Sequence, residues 1–282
     1  MSIWQTARFA IDLRQARVMG IVNATPDSFA GGGRHADAAS AIAHCDALLR
    51  EGVDILDIGG ESTRPGARMP TLEDELLRVL PVLRHAVTLG VPVSVDTSQP
   101  QVMQAALDLG VDIVNDVRAL QRDGAVKVLA SHRRAGVCLM HMRGEPQSMQ
   151  AAAFYRDVVA EVMAFLSARR DVLCAHGVAA NRIVLDPGIG FGKSVADNLA
   201  LLCRQHELLA MGAPLLVGWS RKSTLGAVTG RAVHERQAAS VAAALLAVQR
   251  GARVVRVHDV AATVDALALW RNVEDKHESD SA

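Results

Sequence analysis

The feature that most constrains the fold is a regular alternation of short apolar runs with longer helical segments. Eight runs rich in β-branched residues recur along the chain, at 18–21, 53–58, 91–95, 111–114, 136–140, 182–185, 214–218 and 253–257. Between them lie Ala- and Leu-rich segments with helical periodicity, among them 38–50, 72–88, 101–109, 124–135 and 155–174. Strands that alternate with helices pair in parallel and are buried on both faces. Eight such units in about 250 residues predict an α/β fold, a single-domain (β/α)8 TIM barrel.

The predicted domain organisation is simple. The barrel is expected to span 17–273, because no composition shift, low-complexity segment or linker divides that range. Residues 1–16 are expected to form an N-terminal arm or hairpin that closes the lower end of the barrel. The polar segment 274–282, EDKHESDSA, is expected to be a flexible C-terminal tail.

The charge balance indicates a small ligand. Thirty Lys and Arg residues balance thirty Asp and Glu residues, which excludes the basic surface typical of a nucleic-acid binder or a polybasic membrane anchor. No run approaches the roughly 18 to 20 apolar residues of a membrane span. The four cysteines lack the spacing of a zinc site and are expected to be reduced. We therefore expect a cytoplasmic protein without nucleic-acid or membrane partners.

Polar residues follow the apolar runs with regularity. In barrels of this class the active site lies at the C-terminal ends of the strands, so these residues are predicted to converge on one mouth. Any one of them alone is more readily interpreted as a turn former or a helix cap, but a set drawn from all eight strands is not. The residues concerned are Asn23, Asp57, Glu61, Asp96, Asn115, His141, Asp186, Ser220, Arg221, Lys222, Arg256 and His258.

The side-chain types in this set suit a phosphorylated heterocycle. Asp96, Asn115 and Asp186 suit a flat ring with adjacent N–H groups, such as a purine or a pterin, because a carboxylate accepts two parallel hydrogen bonds. Cationic donors suit the phosphate, and Arg can also stack on an aromatic ring. The predicted cationic donors are Arg64, Lys222, Arg256 and His258.

Three loops carry further signals. NATPDSFAGGGR, at 23–34, is longer than the roughly 2 to 6 residues usual between a strand and a helix, which indicates a binding role. GWSRKST opens a helix at about Ser223, whose free N–H groups suit a carboxylate or phosphate. DPGIGFGKS, at 186–194, lacks the GxxxxGK[ST] spacing of a phosphate-binding loop, so its glycines are expected to let the backbone approach a ligand beside Phe191.

Eight motifs, in order along the chain, resemble those of the dihydropteroate synthases. They are MGIVNATPDSF, DILDIGGESTRPGA, VSVDTS, DIVNDV, LMHMRG, IVLDPGIGFGK, GWSRKS and RVVRVHDV. The resemblance runs from about Arg17 to Leu269. It implies condensation of 6-hydroxymethyl-7,8-dihydropterin pyrophosphate with p-aminobenzoate, giving 7,8-dihydropteroate and pyrophosphate in folate biosynthesis, with Mg²⁺ as cofactor. It also implies a sulfonamide target and a homodimer formed through the last helices, at about 233–248 and 261–273.

The resemblance also implies a role for individual residues. It makes Asn23, Asp96, Lys222, Arg256 and His258 catalytic. It places the pterin ring on Asp96, Asn115, Met140, Asp186, Phe191, Lys222 and Arg256. It places the pyrophosphate on Asn23, Thr63, Arg64, Arg256 and His258, with Asn23 also a Mg²⁺ ligand. It places p-aminobenzoate on Phe29, Arg64, Pro65, Lys222 and Ser223.

One departure from the family pattern affects the first loop. The family usually has NVTPDSFSDGG, whereas here Gly31 stands in place of the second aspartate of the loop. That aspartate is associated with the closed loop around Asn23 and Mg²⁺, and three consecutive glycines raise the entropy lost on ordering. We therefore predict an active enzyme with a looser lid, the alternative being a weakly active or silent pterin-binding paralogue.

A pterin-dependent methyltransferase is the nearest rival activity. Such a domain uses a similar barrel and pterin pocket but is expected to lack the TPDSF and STRPG loops and the SRKS turn. All three segments are present here, which favours the synthase.

Overall fold

The computed structural model describes residues 2–24, 33–61, 69–144 and 154–280. Within them, eight parallel strands close into a barrel. The barrel strands are β3 (Arg17–Asn23), β4 (Ile55–Gly59), β5 (Val93–Asp96), β6 (Ile113–Asp116), β7 (Gly136–Met140), β8 (Ile183–Asp186), β9 (Leu215–Val217) and β10 (Ala252–Val257). Around the barrel they follow the order β10-β3-β4-β5-β6-β7-β8-β9. Each overlaps one of the predicted runs, and the prediction of a (β/α)8 barrel is confirmed.

Helices follow the strands and form the outer layer of the barrel. They are α1 (Gly33–Arg50), α2 (Leu72–Ala86), α3 (Pro100–Asp108), α4 (Ala125–Ser131), α5 (Val158–Ala175), α6 (Val195–Cys203), α7 (Gln205–Leu208), α8 (Ser223–Thr229), α9 (Gln237–Gln249) and α10 (Val260–Asp280). Among these helices, none combines the length and apolar character needed to span a bilayer.

The strand register places the predicted site residues side by side. Asn23 pairs with Gly59, Gly59 with Asp96, and Asp96 with Asn115, all at the C-terminal ends of neighbouring strands. Every residue of β4, β5, β6 and β8 is buried, because helices cover the outside and side chains fill the inside. Burial of the strands on both faces therefore accounts for the continuous apolar runs in the sequence. It also fixes the positions of the polar residues at the C-terminal ends of these strands.

The N-terminal segment forms a hairpin beneath the barrel. β1 (Ile3–Gln5) pairs antiparallel with β2 (Ala10–Asp12). Trp4 is fully buried and packs in the apolar cluster that closes the lower end, and its Nε1 donates to the carbonyl of Arg182 at 2.9 Å. A Cβ at Gly136 would lie 3.1 Å from Trp4 Nε1, so β7 begins with a glycine where the indole passes close to the backbone.

We expect Trp4→Ala to lower the free energy of unfolding by about 3 to 5 kcal/mol, because it empties a buried site and removes the bond to Arg182. Ile3→Ala is the matched control, since Ile3 lies on the same strand but is 39% exposed. Its effect should stay within about 0.5 kcal/mol. Urea unfolding monitored by circular dichroism measures both free energies of unfolding. Equal decreases in the two variants would contradict the conclusion that Trp4 packs at the centre of the cluster that closes the lower end of the barrel.

The last helix extends beyond the predicted domain boundary at Val273. α10 begins at Val260, ends at Asp280, and is anchored near its middle by Arg271, whose Nη2 donates to the carbonyl of Ala16 at 2.5 Å. Polar composition alone does not end a helix, since Glu and Lys are good helix formers and neither Gly nor Pro interrupts 274–280.

Candidate active site

Four side chains meet at the centre of the barrel mouth. The guanidinium of Arg256 bridges two carboxylates: its Nε donates to Asp57 Oδ2 at 2.6 Å and its Nη2 donates to Asp96 Oδ2 at 2.7 Å. Asn115 Nδ2 donates to the same Asp57 oxygen at 3.2 Å. No described residue bonds the other oxygen of Asp57, which is buried. Of the predicted residues, Arg256 therefore contacts Asp96 directly, and Asn115 is linked to Arg256 through the carboxylate of Asp57.

The electrostatics of this cluster favour a ligand that donates hydrogen bonds. Burial raises the pKa of Asp96 to about 7, since it outweighs the opposing effect of Arg256 and is reinforced by the Asp57 carboxylate. Burial alone would lower the pKa of Arg256, but Asp57 and Asp96 raise it above its usual value. Arg256 is therefore charged, and two carboxylates share its single positive charge. A bound ring with N–H groups would supply the donors that the carboxylates still lack.

The opposite side of the mouth combines a carboxylate with an apolar wall. Asp186, at the end of β8, is 5% exposed and accepts a hydrogen bond from the backbone of Gly188 at 2.7 Å. Burial raises its pKa to about 6. Met140 and Phe191 pack together in a small apolar cluster, and the Nζ of Lys222 lies 4.0 Å from the centre of the Phe191 ring. A flat aromatic ligand can thus meet acceptors at its edge and apolar atoms on its face.

Lys222 is influenced by two of the three carboxylates of the mouth, Asp186 and Asp96. Burial, and then the charge of Arg256, lower its pKa to about 8, against the opposing influence of Asp186 and Asp96. A positive φ of 59° at Arg221 sharpens the turn that precedes Lys222. That turn is stabilised because the backbone N–H of Arg221 donates to Ser240 Oγ at 2.9 Å and its guanidinium pairs with Asp259 at 2.6 Å.

Lys193 organises the glycine-rich loop after β8. Its buried Nζ contacts His141 Nδ1 at 2.9 Å and donates to the carbonyls of Gly188 at 2.9 Å and Phe191 at 3.1 Å. A Cβ at Gly188, where φ is 68°, would overlap the carbonyl oxygen of His141. Burial lowers the pKa of Lys193 to about 7 and that of His141 to about 3. The sequence predicted a ligand-facing role for these glycines but missed Lys193, although a lysine ending such a loop was a visible signal.

His258 follows β10 and is hydrogen-bonded to Ser220. Its Nδ1 is 2.9 Å from Ser220 Oγ, which also accepts the backbone N–H of His258 at 3.1 Å. Burial, and then the charges of Arg221 and Arg256, lower its pKa to about 3. Proximity to two guanidinium groups in a buried site therefore disfavours the imidazolium in the protein by itself, and the role of His258 as a donor to phosphate stays a prediction.

A second polar network lies at the end of β4, and Glu61 is the member of it that the sequence had indicated. Glu61 Oε1 accepts from Arg118 at 3.4 Å, Arg118 Nη1 donates to Ser98 Oγ at 2.9 Å, and Ser98 donates to Asp116 Oδ1 at 2.5 Å. All four side chains are buried. The network therefore ties together the loops that leave β4, β5 and β6.

Of the remaining predicted residues, two are described by the structure and the others lie outside the described ranges. Asn23, the last residue of β3, is half-buried, and Ser223, the first residue of α8, is exposed. Phe29, Gly31, Thr63, Arg64 and Pro65 lie outside the described residues. Among the described part of the chain, no group of three or more His, Cys, Asp and Glu side chains could hold a metal ion.

Comparisons with known proteins identify relatives over nearly the full length. The model of the pterin binding enzyme family matches residues 19–258. The dihydropteroate synthase of Neisseria meningitidis serogroup B is 53% identical over 274 residues, covering 95% of this chain and 96% of that protein. The corresponding enzyme of Escherichia coli K12 is 43% identical over 261 residues, 92% of each chain.

Solved structures agree with these relatives. Xanthomonas albilineans dihydropteroate synthase with 4-aminobenzoic acid superposes with a TM-score of 0.92 at 49% identity, covering 97% of this chain and 98% of that one. Yersinia pestis dihydropteroate synthase in a sulfonamide drug complex superposes with a TM-score of 0.92 at 40% identity, covering 97% and 99%. The family match, the identities and the shared barrel lead to one conclusion: this chain belongs to the pterin-binding enzymes, as a transferase of the dihydropteroate synthase group.

Proposed function

We propose that this chain condenses 6-hydroxymethyl-7,8-dihydropterin pyrophosphate with p-aminobenzoate, forming 7,8-dihydropteroate and releasing pyrophosphate. The observation that carries the proposal is the pair of buried carboxylates, Asp96 and Asp186, on either side of a mouth walled by Met140 and Phe191. Such a mouth offers acceptors to the edge of a pterin and apolar atoms to its face.

The pterin is held by acceptors and donors in the plane of its ring. Asp96 and Asp186 would each accept N–H groups of the pterin, and the amide of Asn115 would both donate and accept. Asp96 can retain Arg256 while it binds the ring, because one carboxylate offers about four acceptor positions. Lys222 would donate to a ring oxygen or nitrogen from its position over Phe191.

The pyrophosphate lies on the cationic side of the mouth. Arg256, which bonds Asp96 and Asp57, would reach this side, where its charge would stabilise the leaving group as the C–O bond breaks. His258 is neutral in the protein alone and would donate one N–H, and the negative charge of the pyrophosphate would raise its pKa. Thr63 and Arg64 would complete this subsite.

The chemistry of the donor set suits Mg²⁺ rather than a softer metal. Asn23 offers a neutral amide oxygen at the end of β3, and Mg²⁺ is usually held by one or two protein oxygens together with substrate phosphates and water. When bound, the ion would neutralise charge on the pyrophosphate.

The aromatic amine of p-aminobenzoate is itself the nucleophile, so no Ser, Cys or Lys nucleophile is required and no covalent enzyme intermediate is expected. Its carboxylate would bind the hydroxyl and backbone N–H of Ser223, beside Lys222. Phe29, Arg64 and Pro65 would form the remainder of this subsite. The amine would then face the methylene carbon of the pterin.

The deciding experiment is an assay of pyrophosphate release by the purified protein. Release that requires Mg²⁺ and both substrates is expected. Absence of release from the parent, with recovery in Gly31→Asp, would identify a paralogue silenced at its first loop. Absence of release from both proteins, with pterin binding retained, would overturn the synthase proposal.

We expect pterin affinity to depend on pH, because Asp96 must be ionised to accept two N–H groups. Its pKa of about 7 in the free protein predicts that the Kd for 6-hydroxymethyl-7,8-dihydropterin rises about tenfold as the pH falls from 8 to 6. The alcohol is the probe because it carries no titrating phosphate. Titration calorimetry measures the Kd, and Asp96→Asn should remove most of the dependence in this window. An equal dependence in that variant would assign it to another group.

We further propose a homodimer in the cytoplasm. Val233, Leu246, Leu269 and Val273, on or near α9 and α10, are apolar side chains at least 40% exposed, and a partner subunit would cover them. Sedimentation velocity tests the assembly, and a concentration-independent monomer would contradict it.

The free state of all four cysteines suits a reducing compartment such as the cytoplasm.

A further inference from the structure

A buried asparagine connects the two loops that flank the proposed substrates. Asn198, on α6, is 1% exposed. Its Oδ1 accepts the backbone N–H of Gly190 at 2.8 Å, and its Nδ2 donates to Thr224 Oγ1 at 2.9 Å. Gly190 belongs to the loop after β8 that carries Phe191, whereas Thr224 directly follows Ser223 in α8. A single side chain thus joins the wall of the pterin pocket to the start of the helix proposed to bind the aminobenzoate carboxylate.

The chemistry of the partners determines how the amide is oriented. A backbone N–H can only donate, so the amide oxygen must face Gly190. The amide nitrogen then faces Thr224 and also donates to the carbonyl of Lys193 at 3.5 Å. Thr224 is 1% exposed, so this end of the bridge is shielded from water, whereas the end at Gly190 is partly buried. Loss of the bond to Thr224 would leave a buried polar group without its partner.

The helix that carries Asn198 is itself held in place. A capping box begins α6: Ser194 Oγ accepts the backbone N–H of Asp197, and Asp197 Oδ2 accepts the backbone N–H of Ser194 at 2.9 Å. Gly190, with φ of 81°, packs so closely on Lys222 that a Cβ would lie 3.1 Å from Lys222 Cδ. The bridge therefore extends from a rigid helix start to a loop in contact with the site.

We propose that Asn198 is a positioning residue that, through Thr224, sets the spacing between the pterin pocket and the p-aminobenzoate pocket. The inference rests on the proposed function, in which the amine must reach the methylene carbon of the pterin. Misplacement of two reactants by about 1 Å can lower the rate on the order of a hundredfold, so a bridge between their pockets bears directly on the rate.

Thr224→Val tests the bridge with little change of shape, since it replaces the hydroxyl by a methyl group. We expect kcat to fall about tenfold and the KM for p-aminobenzoate to rise, with calorimetric affinity for the pterin alone unchanged. Thr224→Ser restores the hydroxyl and should recover most of the loss. Thr263→Val is the matched control, because Thr263 is a buried threonine whose hydroxyl donates to the backbone carbonyl of Asp259, directly before its own helix. A general loss of folded protein would lower kcat without changing either substrate's affinity.

A double-mutant cycle determines whether Asn198 acts through Thr224. Asn198→Ala combined with Thr224→Val should be little worse than Asn198→Ala alone, because the first change already breaks the bridge. Additive losses in kcat/KM, or equal losses in Thr224→Ser and Thr224→Val, would overturn the inference while leaving the synthase activity established. A parent protein that releases no pyrophosphate would instead overturn the proposed function, and the inference with it.

Discussion

Asp96→Asn is expected to reduce kcat/KM for pyrophosphate release by about 10² to 10⁴. The carboxylate is proposed to accept two N–H groups of the pterin, and a hydrogen bond to a charged group contributes about 1.5 to 3 kcal/mol. Loss of two such bonds corresponds to about 3 to 6 kcal/mol. Asparagine keeps the shape but turns a donor towards one of the ring N–H groups. The variant should therefore lose substrate affinity and rate without losing its fold.

Stability separates this effect from misfolding. Burial raises the pKa of Asp96 to about 7 in the folded protein, well above the usual value of an aspartate, so the ionised carboxylate destabilises the fold at pH 8. Asparagine removes that penalty, and Asp57 still pairs with Arg256. We expect the unfolding midpoint of Asp96→Asn at pH 8 to be no lower than that of the parent.

Asp112→Asn is the matched control at the lower end of the barrel. Asp112 is fully buried and pairs with Arg8 at 2.6 Å, and it also accepts the backbone N–H of Val93 at 2.9 Å. This variant should lose stability while its kcat/KM stays within about twofold of the parent, which is the opposite signature. Asp96→Asn with parental kcat/KM would exclude Asp96 from pterin binding.

Arg256→Met is expected to abolish activity and to lower the free energy of unfolding by about 3 to 5 kcal/mol. The change leaves Asp57, which is fully buried, and Asp96 without their shared counter-charge. Arg256→Lys should recover only part of either loss, because an ammonium group lacks the planar fork that reaches two carboxylates at once. Denaturant unfolding and the release assay measure the two effects separately.

A second change in the Arg256→Met background tests the cause of the stability loss. Asp57→Asn removes the uncompensated charge, so the double variant should regain at least about half of the lost stability, since the largest cost of breaking a buried pair is the charge left behind. Activity should stay lost, because the charge of Arg256 is no longer present to stabilise the leaving group. A double variant less stable than Arg256→Met would contradict the assigned charge balance of the mouth.

Arg256 explains why the pterin side and the phosphate side of the mouth are linked. In the protein alone its guanidinium lies on Asp96, and both groups are proposed to bind substrate. A pterin that takes part of the hydrogen-bonding capacity of Asp96 would leave Arg256 freer to interact with the pyrophosphate. The bond to Asp57 would hold the guanidinium in place during that exchange.

The sequence by itself determined the barrel and the residues of its rim. Strands buried on both faces consist of continuous apolar runs, so eight runs indicated eight strands. Observed bounds such as Ile183–Asp186 lie close to the predicted ones. Parallel strands linked by helices bring all their C-terminal ends to one mouth. Asp96, Asn115 and Asp186 could therefore be predicted to lie around one mouth without knowledge of any contact.

Only the tertiary structure decided which side chains pair and which are charged. Arg256 and Asp57 are 199 residues apart, and they meet because β10 closes the barrel against β3, next to β4. Asn198 has no local signal, since its partners lie on two other elements of the fold. The neutral state of His258 depends on burial beside Arg221 and Arg256. Hydropathy along a chain reports which residues are buried, whereas partners and protonation depend on distances that exist only after the barrel has closed.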